Sequence, residues 1–166
     1  MNRDQFRAQQ APLKQQYIED PASACVTLRA EGTLGQDVSC SVSTGRDLVK
    51  SGLHPATGGT GLMACSGDML LQALVACAGV TLSAVATSLG IEVHGGSVFA
   101  EGDLDFRGTL GVVKDAPVGF KQIRLRFSLD SNANANERAK LLQLTERYCV
   151  VYQTLRNGSE LSIQLN

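Results

Sequence analysis

The stretch from Cys65 to Leu89 constrains this chain most. It carries no charge between Asp68 and Glu92 and is apolar on nearly every face of a helix. Ser66-Gly67-Asp68 reads as a helix start, a small polar cap followed by an acid where the helix dipole favours one. Leu89-Gly90 reads as the stop. A helix that is apolar all round is normally buried on all sides, so the rest of the molecule has to cover it. The length also suffices to cross a bilayer. Against that reading, the flanking charges are acidic and no Trp or Tyr belt brackets the stretch. Cys77 lies near the middle, beside Ala76, Ala78 and Gly79, small neighbours that let another segment approach the thiol. Spacing and periodicity leave two readings of Cys77 open: an inert core thiol, the usual state of a lone buried cysteine, or a reactive one.

The remaining composition narrows the function classes. The chain of 166 residues is expected to form one domain over 1–166, with 1–20 as an N-terminal helical extension. Net charge is −1 and the basic residues are spread out, so no nucleic-acid surface or membrane patch is expected. The polar N-terminus has no apolar leader segment, which makes the cytoplasm the expected location. Five cysteines (Cys25, Cys40, Cys65, Cys77 and Cys149) without a CxxC pair do not read as a disulfide framework. His54 and His94 have no ligand spacing to each other or to a cysteine pair, so no metal is expected. Gly58-Gly59-Thr60-Gly61 is not followed by Lys-Ser/Thr, which weakens a phosphate-cradle reading.

In chain order, Met1 to Glu19 reads as one short helix or two fragments, interrupted by Pro12. Ala24–Ala30 and Asp37–Val42 read as strands, with Gly32 and Gly35 supplying the turn; Cys25 falls on a sheet face and Cys40 in a strand core. Thr44 to Gly67 reads as a long Gly-rich connection, either functional or a solvated loop with a short helix at Asp47–Ser51. Ile91–Asp105 reads as a strand bulged or curved at Gly95, Gly96 and Gly102. Ile123, Leu125, Phe127 and Leu129 alternate with polar residues in a further strand. Glu137–Leu155 is predicted as a second, amphipathic helix with Leu141, Leu144, Tyr148, Val151 and Leu155 as its core stripe. Leu161, Ile163 and Leu165 alternate in a closing strand. The order predicts an α+β fold: an antiparallel-rich sheet, a buried central helix and a covering helix. A partner subunit is a natural source of the cover still missing from the central helix.

Asp68, Cys77, Leu89-Gly90-Ile91, Gly119-Phe120-Lys121-Gln122-Ile123 and Cys149-Val150-Val151 occur in that order. The set resembles the OsmC/Ohr family, named for osmotically induced protein C and organic hydroperoxide resistance protein. Its pattern is an acid near a helix start with a cysteine nine residues on, then Leu-Gly-Ile, a β meander with Gly-Phe-x-x-Ile, and a second helix bearing Cys-Pro-Val. The likeness runs from about Ala24 to the C-terminus.

The resemblance implies an intertwined α+β homodimer of OsmC-like fold with active sites at the subunit interface. It implies a peroxidase of the oxidative stress response that reduces organic hydroperoxides, with Cys77 as peroxidatic thiolate and Cys149 as resolving thiol. Arg46, with Arg29 as the alternative, would stand beside the thiolate, and Asp68 would orient that arginine. Dithiols or lipoylated proteins would supply electrons, with no metal or flavin cofactor. The alternative is a member that keeps the fold without the peroxidase and serves as a small-molecule-binding or sulfur-carrying protein. The chain departs from the pattern at three places: Asp68 stands for Glu, Val150 stands for Pro, and Cys65 is an extra thiol near the helix start. Nine residues along a helix also put Asp68 and Cys77 about half a turn out of phase, so the acid would act through an intermediary.

Overall fold

The computed structural model describes residues 2–25, 27, 30, 32–35, 39–44 and 47–165. In chain order these form α1 (Arg3–Glu19), β1 (Gly32–Gly35), β2 (Ser39–Thr44), β3 (Asp47–Gly52), α2 (Ser66–Leu89), β4 (Val93–Asp103), α3 (Phe106–Thr109), β5 (Gln122–Ser131), α4 (Ala135–Tyr148) and α5 (Val150–Asn157). Short 3-10 turns occupy Pro21–Ala24 and Pro55–Thr57. The chain divides into two compact units, one of Met1–Glu19, Ala73–Phe99 and Arg126–Asn166, the other of Asp20–Gln72 and Ala100–Leu125.

In the first unit the core forms where α2 ends. Leu82, Val85 and Ala86 pack with Ile91, Ala133 and Leu141, and Phe127, Leu129 and Leu144 flank them. The Leu89-Gly90-Ile91 turn builds this junction. Gly90 takes φ +76°, its N–H donates to the Thr87 carbonyl at 3.2 Å, and the Ile91 N–H donates back to the Ala86 carbonyl at 2.9 Å. These are the two bonds of a Schellman cap, and Ile91 drops into the core beside the turn it closes. A side chain at Gly90 would have to hold the left-handed conformation at a cost of about 1–2 kcal/mol.

By length and composition α2 could cross a membrane. Its burial is one-sided, however: Leu74, Ala78, Leu82, Val85 and Ala86 are buried, while Ala73, Ala76, Val80 and Ser83 are exposed. The expectation of burial on all sides is not met within this chain. α1 is a single helix that runs through Pro12 and buries no residue. A proline there removes one hydrogen bond, and no buried packing depends on the register it disturbs.

The predicted second helix is two helices. A capping box starts α4: the Asn134 side chain accepts from the Glu137 N–H at 3.0 Å, and the Glu137 side chain accepts from the Asn134 N–H at 2.9 Å. Cys149 takes an extended backbone, closes α4 with its N–H on the Thr145 carbonyl, and caps α5. The β-branched pair Val150-Val151 follows, and Val150 stands at the first helical position, where proline would be favoured. The buried stripe is Leu141, Thr145 and Cys149, not Leu141, Leu144 and Tyr148; Tyr148 is 57% exposed. Polar Thr145 tolerates burial because its hydroxyl donates to the Leu141 carbonyl at 2.8 Å.

In the second unit β1, β2 and β3 form an antiparallel meander, with Gly32 opposite Val42 and Val42 opposite Val49. Gly32 and Gly35 thus lie in a strand rather than a turn. Asp47–Gly52 is a strand rather than a loop or short helix, because β2 offers it a paired edge. The predicted strand Ala24–Ala30 begins instead with the end of a 3-10 turn and exposed Cys25; its residues 26, 28 and 29 lie outside the described set. Cys40 does fall within β2. β4 and β5 pair. They run antiparallel, since the Lys121 N–H donates to the Asp103 carbonyl while Gly96 faces Ser128. Two of the three glycines of β4 serve close approach: a Cβ at Gly96 would stand 2.4 Å from the Ser128 carbonyl oxygen, and one at Gly102 2.4 Å from the Phe120 ring. The predicted closing strand is absent. Leu161, Ile163 and Leu165 are 91%, 98% and 100% exposed, an alternating segment with no strand partner among the described residues.

Candidate active site

Cys77 sits near the middle of α2, and Thr81 follows one turn later on the same face. Opposite them is the junction between α4 and α5. The extended backbone at Cys149 leaves the first amides of α5 without helical partners, as at any helix start. Those amides, at Val150 and Val151, act on the Cys77 thiol and make it more acidic. Cys77 and Cys149 are both free thiols; Cys149 is buried and Cys77 partly exposed.

The two thiols are driven apart in acidity. Burial pushes the Cys77 thiol up, but four hydrogen-bonding groups outweigh it: the Val151 N–H, the Cys149 side chain, the Thr81 hydroxyl and the Val150 N–H. The net effect holds Cys77 below the ordinary thiol range. Burial also pushes the Cys149 thiol up. The backbone groups of Tyr152 and Val151 work against that rise, while the Cys77 side chain and its charge add to it, and the net shift is upward. Cys77 is therefore the more acidic of the two thiols and Cys149 the less acidic. This asymmetry suits a nucleophile facing a thiol that reacts second.

Thr81 gives a direct check. Replacing Thr81 with valine removes one donor to the thiolate, so the pH midpoint of Cys77 alkylation by iodoacetamide should rise, and the rate near neutral pH should fall. Peptide-resolved alkylation across a pH series measures this. A midpoint unchanged in Thr81→Val would show that the hydroxyl does not set the acidity.

Of the expected site residues, the structure brings Cys77 and Cys149 together. Asp68 stands exposed in the first turn of α2 and is not among the described groups that set the Cys77 thiol. It lines a cavity with His54 and Cys65 in the second unit. Arg46 and Arg29 lie outside the described residues. Thr81 and the Val150 and Val151 amides were not among the expected groups. Thr81 was within reach, four residues beyond Cys77 on one helix face. The amides were not, because the helix break that frees them is hidden by a continuous apolar pattern. Among the described residues no cluster of three or more His, Cys, Asp or Glu side chains could hold a metal ion.

A family model described as OsmC-like protein matches residues 59–164. No curated protein matches the sequence. Among solved structures, the OsmC-like protein from Mycoplasma pneumoniae superimposes with a TM-score of 0.67 at 19% identity, covering 85% of this chain and 95% of that one. An organic hydroperoxide resistance protein OsmC from Legionella pneumophila gives a TM-score of 0.63 at 19% identity, covering 80% and 90%. An organic hydroperoxide resistance protein from Elizabethkingia anophelis gives 0.60 at 16% identity, covering 81% and 91%. At these identities the likeness is one of fold: the chain has the α+β OsmC-like fold.

Proposed function

The chain belongs to the OsmC-like family, and from that premise we propose that it is a thiol-dependent peroxidase that reduces organic hydroperoxides through Cys77 and Cys149. What supports this reading is the neighbouring pair of free thiols: Cys77, made more acidic by the α5 amides, Thr81 and Cys149, beside Cys149, made less acidic by its burial.

The chemistry runs in three balanced steps. The Cys77 thiolate attacks the terminal oxygen of R–O–O–H, and the O–O bond breaks. Cys77 becomes a sulfenic acid while the leaving alkoxide takes a proton to become the alcohol. The Cys149 thiol then attacks the Cys77 sulfur, forming the disulfide and releasing water. A dithiol, small or lipoyl-borne, reduces the disulfide by two exchanges and leaves as its own cyclic disulfide. The Val150 and Val151 amides stabilise the negative sulfur before attack. The apolar residues around Cys77 on α2 suit an organic hydroperoxide better than hydrogen peroxide. The charge-stabilising arginine, Arg46 or Arg29, and Asp68 as the carboxylate that orients it enter this reading on the family resemblance alone.

Consumption of cumene hydroperoxide in the presence of dihydrolipoamide tests the proposal. Sustained turnover supports it. No turnover by the reduced wild-type protein would sink it and favour the fold acting as a binding or sulfur-carrying protein.

The same reading includes a homodimer. The exposed side of α2 presents Ala73, Ala76, Val80 and Ser83 at three- and four-residue spacing, with Val80 72% exposed. The exposed alternating segment Leu161, Ile163 and Leu165 is a second apolar surface in need of cover. Sedimentation at micromolar concentration should give twice the 17.6 kDa chain mass. A stable species of 17.6 kDa would refute the dimer.

A further inference from the structure

The second unit holds a cavity of about 160 Å³ between the loop after β3, the start of α2 and the end of β4. Its walls are set before any ligand arrives. The loop is tied at its ends: the Gly52 N–H donates to the Ala64 carbonyl and the Ala64 N–H to the Lys50 carbonyl, each at 3.1 Å. Within it the Thr57 and Gly59 N–H groups both donate to the His54 carbonyl, at 2.8 and 3.1 Å. A Cβ at Gly59 would stand 1.8 Å from the Leu53 carbonyl oxygen, so only glycine allows the loop to close this tightly. The His54 Nδ1 accepts the Ala56 N–H at 3.0 Å, which leaves Nε2 as the ring nitrogen that donates. The His54 ring stacks on Phe106 with centroids 4.8 Å apart and planes 14° apart. Across the cavity, Phe120 lies so close to β4 that a Cβ at Gly102 would meet its ring at 2.4 Å. At Gly67 a Cβ would fit at ordinary contact distances, 3.5 Å from Phe120, 3.6 Å from the Cys65 Sγ and 3.9 Å from Leu104.

We propose that this cavity binds a single-ring hydroxyaromatic molecule of the phenol class. Its volume is close to that of a cavity of about 150 Å³ known to hold benzene in another protein. The Phe106 and Phe120 rings favour an aromatic guest over an aliphatic one. The lining residues with polar side chains are His54, Cys65 and Asp68, of which the His54 ring N–H is a donor and the Asp68 carboxylate an acceptor. A hydroxyl is both acceptor and donor, so its chemistry matches this pair. Neither Cys77 nor Cys149 is among the residues that line the cavity.

Titration of the full chain with 4-methylphenol, followed by NMR of the histidine ring Cε1–H signals, tests the proposal. The sequence has two histidines, so exposed His94 is an internal control. The His54 signal should shift and saturate while His94 stays still. Cyclohexanol, with the same hydroxyl and no π face, should bind at least about tenfold more weakly. Gly67→Ala adds a methyl group at ordinary contact distances and should weaken 4-methylphenol by about tenfold without unfolding the protein. Gly67→Leu should abolish binding. The proposal is overturned by the absence of a saturable His54 shift in the wild type, by an equal response at His94, or by cyclohexanol binding as tightly. It is also overturned if affinity is unchanged in both Gly67 variants.

Discussion

Replacing Cys77 with serine should lower cumene hydroperoxide turnover to the buffer rate, a fall of at least about a thousandfold. Four groups act on the Cys77 sulfur: the Val151 and Val150 amides, Thr81 and Cys149 together outweigh its burial. These donors can stabilise a thiolate because a thiol ionises within reach of neutral pH. They cannot make an alkoxide of serine under the same conditions. Serine is close to cysteine in shape, so the helix and its packing should survive; an unchanged circular dichroism spectrum and melting temperature would establish that. Turnover in Cys77→Ser comparable to the wild type would place the chemistry elsewhere.

Replacing Cys149 with serine should let the first reduction proceed and then stop the cycle. The attacking sulfur is intact in this variant, so a single equivalent of alcohol should form at a rate near that of the wild type. Without the resolving thiol, Cys77 sulfenic acid persists, and further hydroperoxide carries it to sulfinic acid, which ordinary dithiols do not reverse. Mass spectrometry of the Cys77 peptide should show two added oxygen atoms that increase with peroxide dose in Cys149→Ser and not in the wild type. A side effect is expected on Cys77 itself, because the Cys149 side chain is one of the groups that make it more acidic. Undiminished steady-state turnover in Cys149→Ser would assign resolution to another thiol.

The sequence made some of this arrangement readable and hid the rest for identifiable reasons. Cys77 and Cys149 could be matched by the ordered motifs around them. The structure gives one of those motifs a physical cause: Leu89-Gly90-Ile91 is a Schellman cap that sends Ile91 into the core. The break at Cys149 was not readable, because apolar residues recur at helical spacing straight through it. The true stripe also runs through polar Thr145, whose hydroxyl is satisfied by its own helix. β3 was masked by the glycines after it; two apolar residues, Leu48 and Val49, carry little pattern without the β2 edge they pair with. The closing segment shows the opposite failure. Its alternation is a good strand pattern, but a strand exists only where another strand pairs with it.

The most direct test of the account is a peptide map of the reduced wild-type protein after one equivalent of cumene hydroperoxide. A redox pair predicts one major product, the Cys77–Cys149 disulfide, formed within each chain and absent when either cysteine is replaced by serine. Both thiols remaining free, or Cys77 joined to Cys65 instead, would contradict the proposed mechanism while leaving the fold intact.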